Sequence, residues 1–387
     1  MILYEAGFNS LGSSIHNNIL DLKQGFLPEG GTGNDVLLVF CHVTRAGNDY
    51  TVETAPTMMR FYTRHGEPRA DTLKAWPVGT PVANKAMVRE VFDWVRDEFP
   101  ATGYGAVLAS HASGWLPMGY YANPEKYERY DRGDKELLWK QRRRTFGQEF
   151  YSRGSKTEEI DIEDLAKAIP YKLDYIVFDA CLMTSVEVLW AMKDVCDYFI
   201  SAPTEVPGPG FDYTTLAGHL LQSDRPDFRA VCEDYYSLYG PGGKHGYFGA
   251  CVTLADCRQM DGLASVCKTL FAKHRTSIRN LDGRMVQAYG SPENGFQVFF
   301  DLKDLIREAG ATESELSSLQ SSLDKVVLFE KHTANTTYAP LLERVCGLSV
   351  YLPAFHDYRR DSYHGTEFLD SFYKSCVSWN EATFLVE

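Results

Sequence analysis

The chain carries short apolar runs that alternate with amphipathic helical patterns. Val36–Val43 is a continuous apolar segment broken only by His42, which is typical of a strand buried on both faces of a sheet. Tyr104–Ser110 and Tyr175–Phe178 have the same character. Between such runs, Asn84–Phe99 places apolar residues three and four apart and leaves charged residues on the opposite side, as an amphipathic helix does. Strands that alternate with helices predict an α/β fold with a mostly parallel central sheet.

The pattern divides the chain of 387 residues into two parts. Residues 1–250 hold the alternating strands and helices, with a charged insertion near 123–158. Residues 251–387 are richer in helical patterns and contain one further predicted strand, over 346–352. We expect the first part to be the core of the fold and the second to return its one strand to that core.

Composition and charge narrow the classes of protein to which the chain can belong. A hydrophobic fraction of 44% and a charged fraction of 24% are ordinary for a globular protein. The net charge of −13 argues against nucleic acid or an anionic membrane as the main partner. No apolar run is long enough to span a bilayer. We expect a monomer.

The chain begins directly with a strand-like segment, and no signal peptide is present in it. If a leader has been removed, the expected location is secreted, periplasmic or anchored at the surface of a bacterium. The nine cysteines lack CxxC or zinc-finger spacing. Several lie inside apolar runs, which favours small core residues over a disulfide framework.

Cys181 lies where a predicted strand passes into a predicted helix. The strand is Tyr175–Phe178, and Thr184–Glu187 has the spacing of a capping box that opens a helix. Amide dipoles at a helix N-terminus favour a thiolate, which is the reactive form of cysteine. The alternative is a buried structural cysteine, because free cysteine is among the most buried residue types.

His111 follows the predicted strand 104–110, as Cys181 follows its own strand. Strand carboxyl ends line the ligand crevice in open α/β sheets, and enough chain separates the two residues for their strands to be neighbours. A cysteine and a histidine at adjacent strand ends can act as nucleophile and proton-transfer partner. The backbone amides of Ser113, Gly114 and Cys181 are candidates for an oxyanion hole. The alternative for His111 is a structural loop histidine.

The segments around these two residues resemble the clostripain family of cysteine peptidases, in the caspase-like clan. The resemblance is carried by Ala109–Trp115 and Phe178–Met183. It continues in Ser201–Gly210, Gly347–Pro353 and the opening Leu3–Leu11. The similar segments span nearly the whole chain in the family's order.

The resemblance implies a caspase-like α/β/α sandwich and a cysteine endopeptidase that cleaves protein or peptide substrates after Arg or Lys. It implies that Cys181 is the attacking thiolate and that His111 protonates the leaving amine. Asp179 matches an acid of the family's pocket for the basic side chain, and Glu205 and Asp212 are weaker candidates for the same role. The alternative for Asp179 is a turn carboxylate.

The chain departs from the family at Ala112, where glycine is common, although alanine also supplies a backbone N–H. No metal site is predicted and no cofactor is expected to be required. Some relatives need calcium, but no EF-hand spacing supports it here, and acidic clusters are more often solvated faces.

The insertion between His111 and Cys181 is rich in basic residues. Members of the family are often activated by self-cleavage in this stretch, so the resemblance implies a nick within 135–156. The candidate positions are Lys140, Arg142, Arg143, Arg144 and Arg153. Polar exposed loops are where proteolytic nicking concentrates, but a basic run can also be a solvated face.

Two further functions stay open at this point. The chain can be a catalytically inactive caspase-like binding or scaffold protein. It can also be a cysteine transferase or another hydrolase, because the dyad does not determine the acyl acceptor.

Overall fold

The computed structural model describes residues 1–30, 35–44, 52–117, 146–151, 156–223, 225–290, 298–339, 341–353 and 364–387. Their strands are β1 Ile2–Gly7, β2 Leu37–Val43, β3 Thr57–Arg64, β4 Glu67–Ala75, β5 Gly105–Ala109, β6 Phe146–Tyr151, β7 Lys156–Ile160, β8 Leu173–Asp179, β9 Cys196–Ser201, β10 Cys251–Asp256, β11 Phe300–Asp301, β12 Val327–His332 and β13 Ser349–Val350.

The helices are α1 Gly12–Leu22, α2 Lys85–Glu98, α3 Ile162–Ala168, α4 Val186–Met192, α5 Tyr213–Leu221, α6 Phe228–Tyr239, α7 Met260–Arg279, α8 Leu302–Glu308, α9 Glu313–Val326, α10 His364–Cys376 and α11 Ser378–Thr383. Short 3-10 turns lie at Cys257–Gln259 and Gly283–Met285. None of these described helices is long and apolar enough to cross a membrane.

Nine of the described strands form one sheet in the order β12-β10-β9-β8-β5-β1-β2-β3-β4. The central strands β9, β8, β5, β1 and β2 are parallel to one another. Antiparallel strands extend both edges, with β3 and β4 on one side and β10 and β12 on the other. The predicted α/β class with a mostly parallel central sheet is confirmed.

Helices cover both faces of the sheet, because the central strands are apolar on both sides. One face buries Tyr4, Leu108 and Phe178 against a core that includes residues of α2, α3, α4 and α7. The other buries Leu3, Val107 and Val177 against residues of α1, α5 and α6. The second face carries the acidic residues of the candidate site described below.

The C-terminal part joins the sheet differently from the prediction. β10 and β12 enter the nine-stranded sheet, whereas the segment 346–352 contains only the two-residue strand β13, which pairs with β11. Both edges of β10 are already paired, with β9 and β12. The Thr253 hydroxyl of β10 donates to the Gly347 carbonyl at 2.9 Å. Since side chains stand perpendicular to a sheet, this segment packs over the face of β10.

The nine cysteines all lie within the described residues, and none of them forms a disulfide. Six are buried, including Cys196 and Cys257, whose sulfur atoms are 3.9 Å apart. Burial in apolar surroundings raises the thiol pKa of Cys196, and such thiols act as small core residues.

Phe178 tests the packing that holds strand β8 in place. Its ring is fully buried and contacts Phe199 and Phe146, with centroid distances of 5.1 Å and 5.7 Å. We expect Phe178→Ala to lower the free energy of unfolding by about 3–5 kcal/mol, because it removes apolar contacts and leaves a cavity. Urea titration followed by tryptophan fluorescence measures the change.

The control is Leu73→Ala on the edge strand β4, where the leucine is 39% exposed. It should change the free energy of unfolding by no more than about 0.5 kcal/mol. Equal losses in the two variants would contradict the assignment of Phe178 to the core.

Candidate active site

Parallel pairing brings two strand ends to the same level at one edge of the sheet. β5 and β8 are hydrogen-bonded neighbours in which Ala109 pairs with Asp179. His111 and Cys181 each follow these paired residues by the same number of positions. The two side chains are therefore carried by adjacent strand ends, in the crevice where open α/β sheets bind ligands.

The chain turns sharply directly after Cys181. Leu182 has a φ of 64°, in the left-handed region that is unfavourable for a residue with a Cβ. The turn is held because the Leu182 amide donates to the Thr204 carbonyl at 2.9 Å and the Thr184 amide donates to Ala202 at 3.2 Å. Backbone strain that surrounding bonds hold in place is common at functional sites.

The helix that follows begins later than the sequence predicts. Ser185, not Thr184, is the N-cap of α4, and its side chain accepts a hydrogen bond from the Val188 amide. The Thr184 hydroxyl is buried without a partner among the described residues. Cys181 consequently lies before the Leu182 turn, outside the first turn of the helix, and the predicted stabilisation of a thiolate by the helix dipole is wrong.

The environment of Cys181 favours the neutral thiol. The Val206 amide donates to Sγ at 3.4 Å, and Sγ lies 3.7 Å from the Val206 carbonyl oxygen. Burial raises the pKa of the thiol to about 12, and the charges of Glu205 and Asp179 act in the same direction. The Val206 amide opposes this shift, but burial is the larger effect.

His111 is held by a hydroxyl on the neighbouring strand end. Its Nε2 lies 2.7 Å from Ser10 Oγ, and its carbonyl oxygen accepts from the Gly147 amide at 3.0 Å. Burial lowers the pKa of the imidazole, which favours its neutral form. The Ser10 contact therefore engages Nε2 and not Nδ1 of the ring.

Asn9 holds Ser10 in position. The Asn9 amide nitrogen donates to the Ala6 carbonyl at 3.1 Å and to Ser110 Oγ at 3.3 Å, and its Oδ1 accepts from the Leu11 amide at 2.8 Å. Asn9 is fully buried. Its bonds connect the loop after β1 to Ser110, the residue that precedes His111.

The proposed oxyanion turn packs against the turn of the nucleophile. Gly114 has a φ of +63°, and a Cβ placed on it would lie 2.8 Å from the Leu182 carbonyl oxygen and 2.7 Å from the Phe299 ring. Only glycine fits this close approach. Gly114 thus packs directly against the turn after Cys181, and the oxyanion-hole role of the Ser113, Gly114 and Cys181 amides stays a prediction.

Asp179 is 8% exposed and already has hydrogen-bond donors. The Tyr213 hydroxyl donates to Asp179 Oδ2 at 2.9 Å, and the Phe211 amide also donates to this carboxyl. Burial raises its pKa to about 6. The loop that contains Gly210 covers the carboxyl, since a Cβ on Gly210 would lie 2.1 Å from Oδ2.

The two weaker acidic candidates differ in their surroundings. Glu205 is half-buried, its Oε1 has no partner among the described residues, and burial raises its pKa to about 7. It lies close enough to Cys181 for its charge to raise the thiol pKa. Asp212 instead is the N-cap of α5, where Oδ1 accepts from the Thr214 amide at 3.0 Å.

The predicted self-cleavage positions cannot be placed in the same way. Lys140, Arg142, Arg143, Arg144 and Arg153 lie outside the described residues. Within the described ranges, no group of three or more His, Cys, Asp or Glu side chains is arranged to hold a metal ion.

Sequence reasoning missed three residues that the fold brings to the site. Ser10 contacts His111, Tyr213 contacts Asp179, and Glu5 lies beside Asp179. Glu5 had a detectable signal, because it is a lone acid in the apolar strand β1. Ser10 and Tyr213 had none, since their roles depend on pairing between distant segments.

Residues 79–383 match the model of the clostripain family. Among solved structures, an inactive zymogen C11 protease from Parabacteroides distasonis is similar at 24% identity, with 99% of this chain and 96% of that chain covered and a TM-score of 0.77. A secreted C11 cysteine protease from Bacteroides thetaiotaomicron, in complex with an irreversible peptide inhibitor, is similar at 22% identity, with 99% and 97% covered and a TM-score of 0.74.

No match was found among curated proteins. At these identities the likeness to the solved structures establishes the caspase-like fold, which the sequence resemblance predicts. The family match covers most of the chain, from the loop before α2 to the end of α11. The chain therefore belongs to the clostripain family of cysteine peptidases.

Proposed function

We propose that the protein is a cysteine endopeptidase that cleaves after Arg or Lys, with Cys181 as nucleophile and His111 as its proton-transfer partner. The observation that carries the proposal is the parallel register of β5 and β8, which sets the two residues on adjacent strand ends with Asp179 paired beside them. The similar secreted protease from Bacteroides thetaiotaomicron binds an irreversible peptide inhibitor, which supports a peptide substrate for this protein.

Recognition of a basic side chain rests on the acids near the nucleophile. Asp179 and Glu205 are both shielded from solvent, and a carboxylate binds a guanidinium strongly where little water competes. Glu205 is the better placed of the two weaker candidates, because one of its oxygens has no partner in the described structure. Asp212 has a structural role as a helix cap.

The chemistry begins from a neutral thiol and a neutral imidazole. When the scissile carbonyl lies over Sγ, His111 accepts the thiol proton and Sγ attacks the carbonyl carbon. The oxyanion that forms is stabilised by the amides of Ser113, Gly114 and Cys181. His111 then gives its proton to the leaving amine, and water hydrolyses the acyl-enzyme. Ser10 keeps Nε2 occupied, so that Nδ1 carries both transfers.

Main-chain contacts from one loop engage the half-buried thiol in the resting protein, which supports a zymogen-like state. Val206 contacts Sγ through both its amide and its carbonyl, and the loop that carries it also covers Asp179. Self-cleavage within 135–156 is the proposed activating step. The secreted relative supports a location outside the cytoplasm.

A substrate panel tests the proposed specificity. Fluorogenic peptides that differ only in the residue before the scissile bond, Arg, Lys, Asp or Leu, should be hydrolysed only when that residue is basic. Asp179→Asn should lower kcat/KM for the Arg peptide by about 30-fold or more, because a shielded charge partner is lost. The preference for basic residues should grow as pH rises through about 6, where Asp179 ionises.

Cys181→Ala is the inactive control for the panel. Hydrolysis of the Asp or Leu peptides, but not of the Arg and Lys peptides, would contradict the proposal that acids in the pocket bind a basic side chain. Two results together would favour a scaffold protein. Protein nicked with trypsin would hydrolyse none of the peptides, and iodoacetamide would not modify the Cys181 thiol.

The titration of Cys181 tests the resting protonation state. Because burial raises the thiol pKa to about 12, alkylation by iodoacetamide without substrate should accelerate about tenfold per pH unit between about pH 6 and pH 9. Peptide mapping by mass spectrometry assigns the rate to Cys181. A rate that is already constant from about pH 6 upward would indicate a resting thiolate–imidazolium pair instead.

Self-cleavage is tested by incubating the purified protein. We expect two fragments whose new N-terminus follows one of Lys140, Arg142, Arg143, Arg144 or Arg153. Cys181→Ala should remain one band, and added wild-type enzyme should cleave it in trans. A single intact band from active protein after long incubation would contradict the proposed activation.

A further inference from the structure

We propose that Glu5 is a second carboxyl group of the pocket for the basic side chain, and that it acts with Asp179 to favour Arg over Lys. This inference rests on the proposed function and adds a residue that determines specificity. It is carried by the sheet register and by the burial of a carboxyl group whose oxygens form no hydrogen bond of good geometry with the described residues.

The register places Glu5 in one row with Asp179. Glu5 on β1 pairs with Ala109 on β5, and Ala109 pairs with Asp179 on β8. Residues paired in parallel neighbouring strands point to the same face, and this face is the one covered by α1 and α5. Ala109 has only a methyl group, so the middle of the row does not fill the space between the two acids.

Glu5 has no ordinary structural role in the described fold. Its exposed fraction is 0%, and neither carboxyl oxygen has a hydrogen-bond partner of good geometry among the described residues. Burying a carboxyl group without a partner destabilises a protein by several kcal/mol in general. A cationic group bound above the row would supply the missing donors.

The polar surroundings connect Glu5 with Asp179. The Tyr213 hydroxyl, which donates to Asp179 Oδ2 at 2.9 Å, also lies beside the Glu5 carboxyl. Burial, and with it the charge of Asp179, raises the pKa of the Glu5 carboxyl. The two carboxyl groups therefore share one tyrosine as a neighbour.

The geometry suits a guanidinium better than an ammonium. Two strand spacings of about 4.8 Å separate the backbones of Glu5 and Asp179, so their carboxyl groups approach a ligand from two sides. A planar guanidinium has five donors in a fixed fork and can bond to both carboxyl groups together. A lysine ammonium is compact and reaches both less easily.

The test compares matched peptides ending in Arg, Lys or citrulline, the neutral isostere of Arg. In Glu5→Gln we expect kcat/KM for Arg to fall by about 10-fold or more, since bonds to charged groups are lost. The loss for Lys should be smaller, and hydrolysis of the citrulline peptide should not change. The matched control is Glu187→Gln, a carboxyl that is 1% exposed and has donors in Tyr351 and Tyr373. It should leave the ratio of Arg to citrulline unaltered.

An equal loss for all three peptides in Glu5→Gln, or an unchanged ratio of Arg to citrulline, would overturn the role of Glu5. Stability gives a second measure. Because neither variant removes a hydrogen bond of good geometry to a described residue, neither Glu5→Gln nor Glu5→Leu should lower the midpoint of thermal unfolding. A large decrease in both variants would assign Glu5 to the fold and overturn the proposal.

A binding measurement separates this proposal from the proteolytic function. Agmatine carries the guanidinium without a scissile bond, and calorimetry gives its affinity for Cys181→Ala protein that has first been nicked with trypsin. Glu5→Gln in that background should weaken binding by about 10-fold. Glu5→Gln can weaken agmatine binding although the wild type shows no peptidase activity. That result would support Glu5 as a residue of the binding pocket and reject the proposed peptidase function. The wild type can instead hydrolyse only peptides with a basic residue before the scissile bond, while Glu5→Gln leaves agmatine binding unchanged. That result would support the protease and reject the role of Glu5.

Discussion

The in-register parallel pairing of β1, β5 and β8 is the constraint on which the candidate site depends. It sets Glu5, Ala109 and Asp179 in one row and brings the loops after the three strands to the same edge. Strand register is strongly determined when both faces are buried, because a slip of one residue exchanges the faces of every side chain. The apolar residues of the three strands therefore position the polar ones.

The site concentrates ionisable groups where solvent is largely excluded. Burial raises the pKa of Cys181 and Asp179 and lowers that of His111. Each shift favours the neutral form, but a pKa of about 6 leaves Asp179 mostly ionised at neutral pH. When substrate enters the crevice, it brings a cationic side chain, and negative charge develops on the oxygen of its scissile carbonyl. Fixed hydrogen-bond donors and carboxylates stabilise such charges most strongly where water is excluded.

The segment after β9 couples two parts of this site. Its main chain bonds to the Cys181 turn through Thr204 and to Sγ through Val206. A few residues later Gly210 lies over Asp179 and is held by the Tyr239 hydroxyl, which donates to its carbonyl at 2.6 Å. One loop thus covers both the nucleophile and the acid beside it, which ties access to the two groups together.

Local sequence patterns determined most of the elements. Apolar runs predicted the central strands, and spacing predicted a helix over Asn84–Phe99, which the structure gives as α2 Lys85–Glu98 with Asn84 as its N-cap. Strand β4 had no such signal, because all of its residues except Lys74 are exposed and it pairs along one edge only. The strand predicted over 346–352 is reduced to two residues, since apolar content alone does not show whether a segment joins a sheet edge or packs on its face.

The sequence by itself determined the α/β class, the strand-end positions of His111 and Cys181, and the family. Only the tertiary structure decided the protonation of the thiol, the partner of His111 and the neighbour of Asp179. The first depends chiefly on burial of Cys181. The other two depend on Ser10 and Glu5, which lie far along the chain from His111 and Asp179. Burial and hydrogen bonding are properties of the packed environment, and the order of residues alone does not record them.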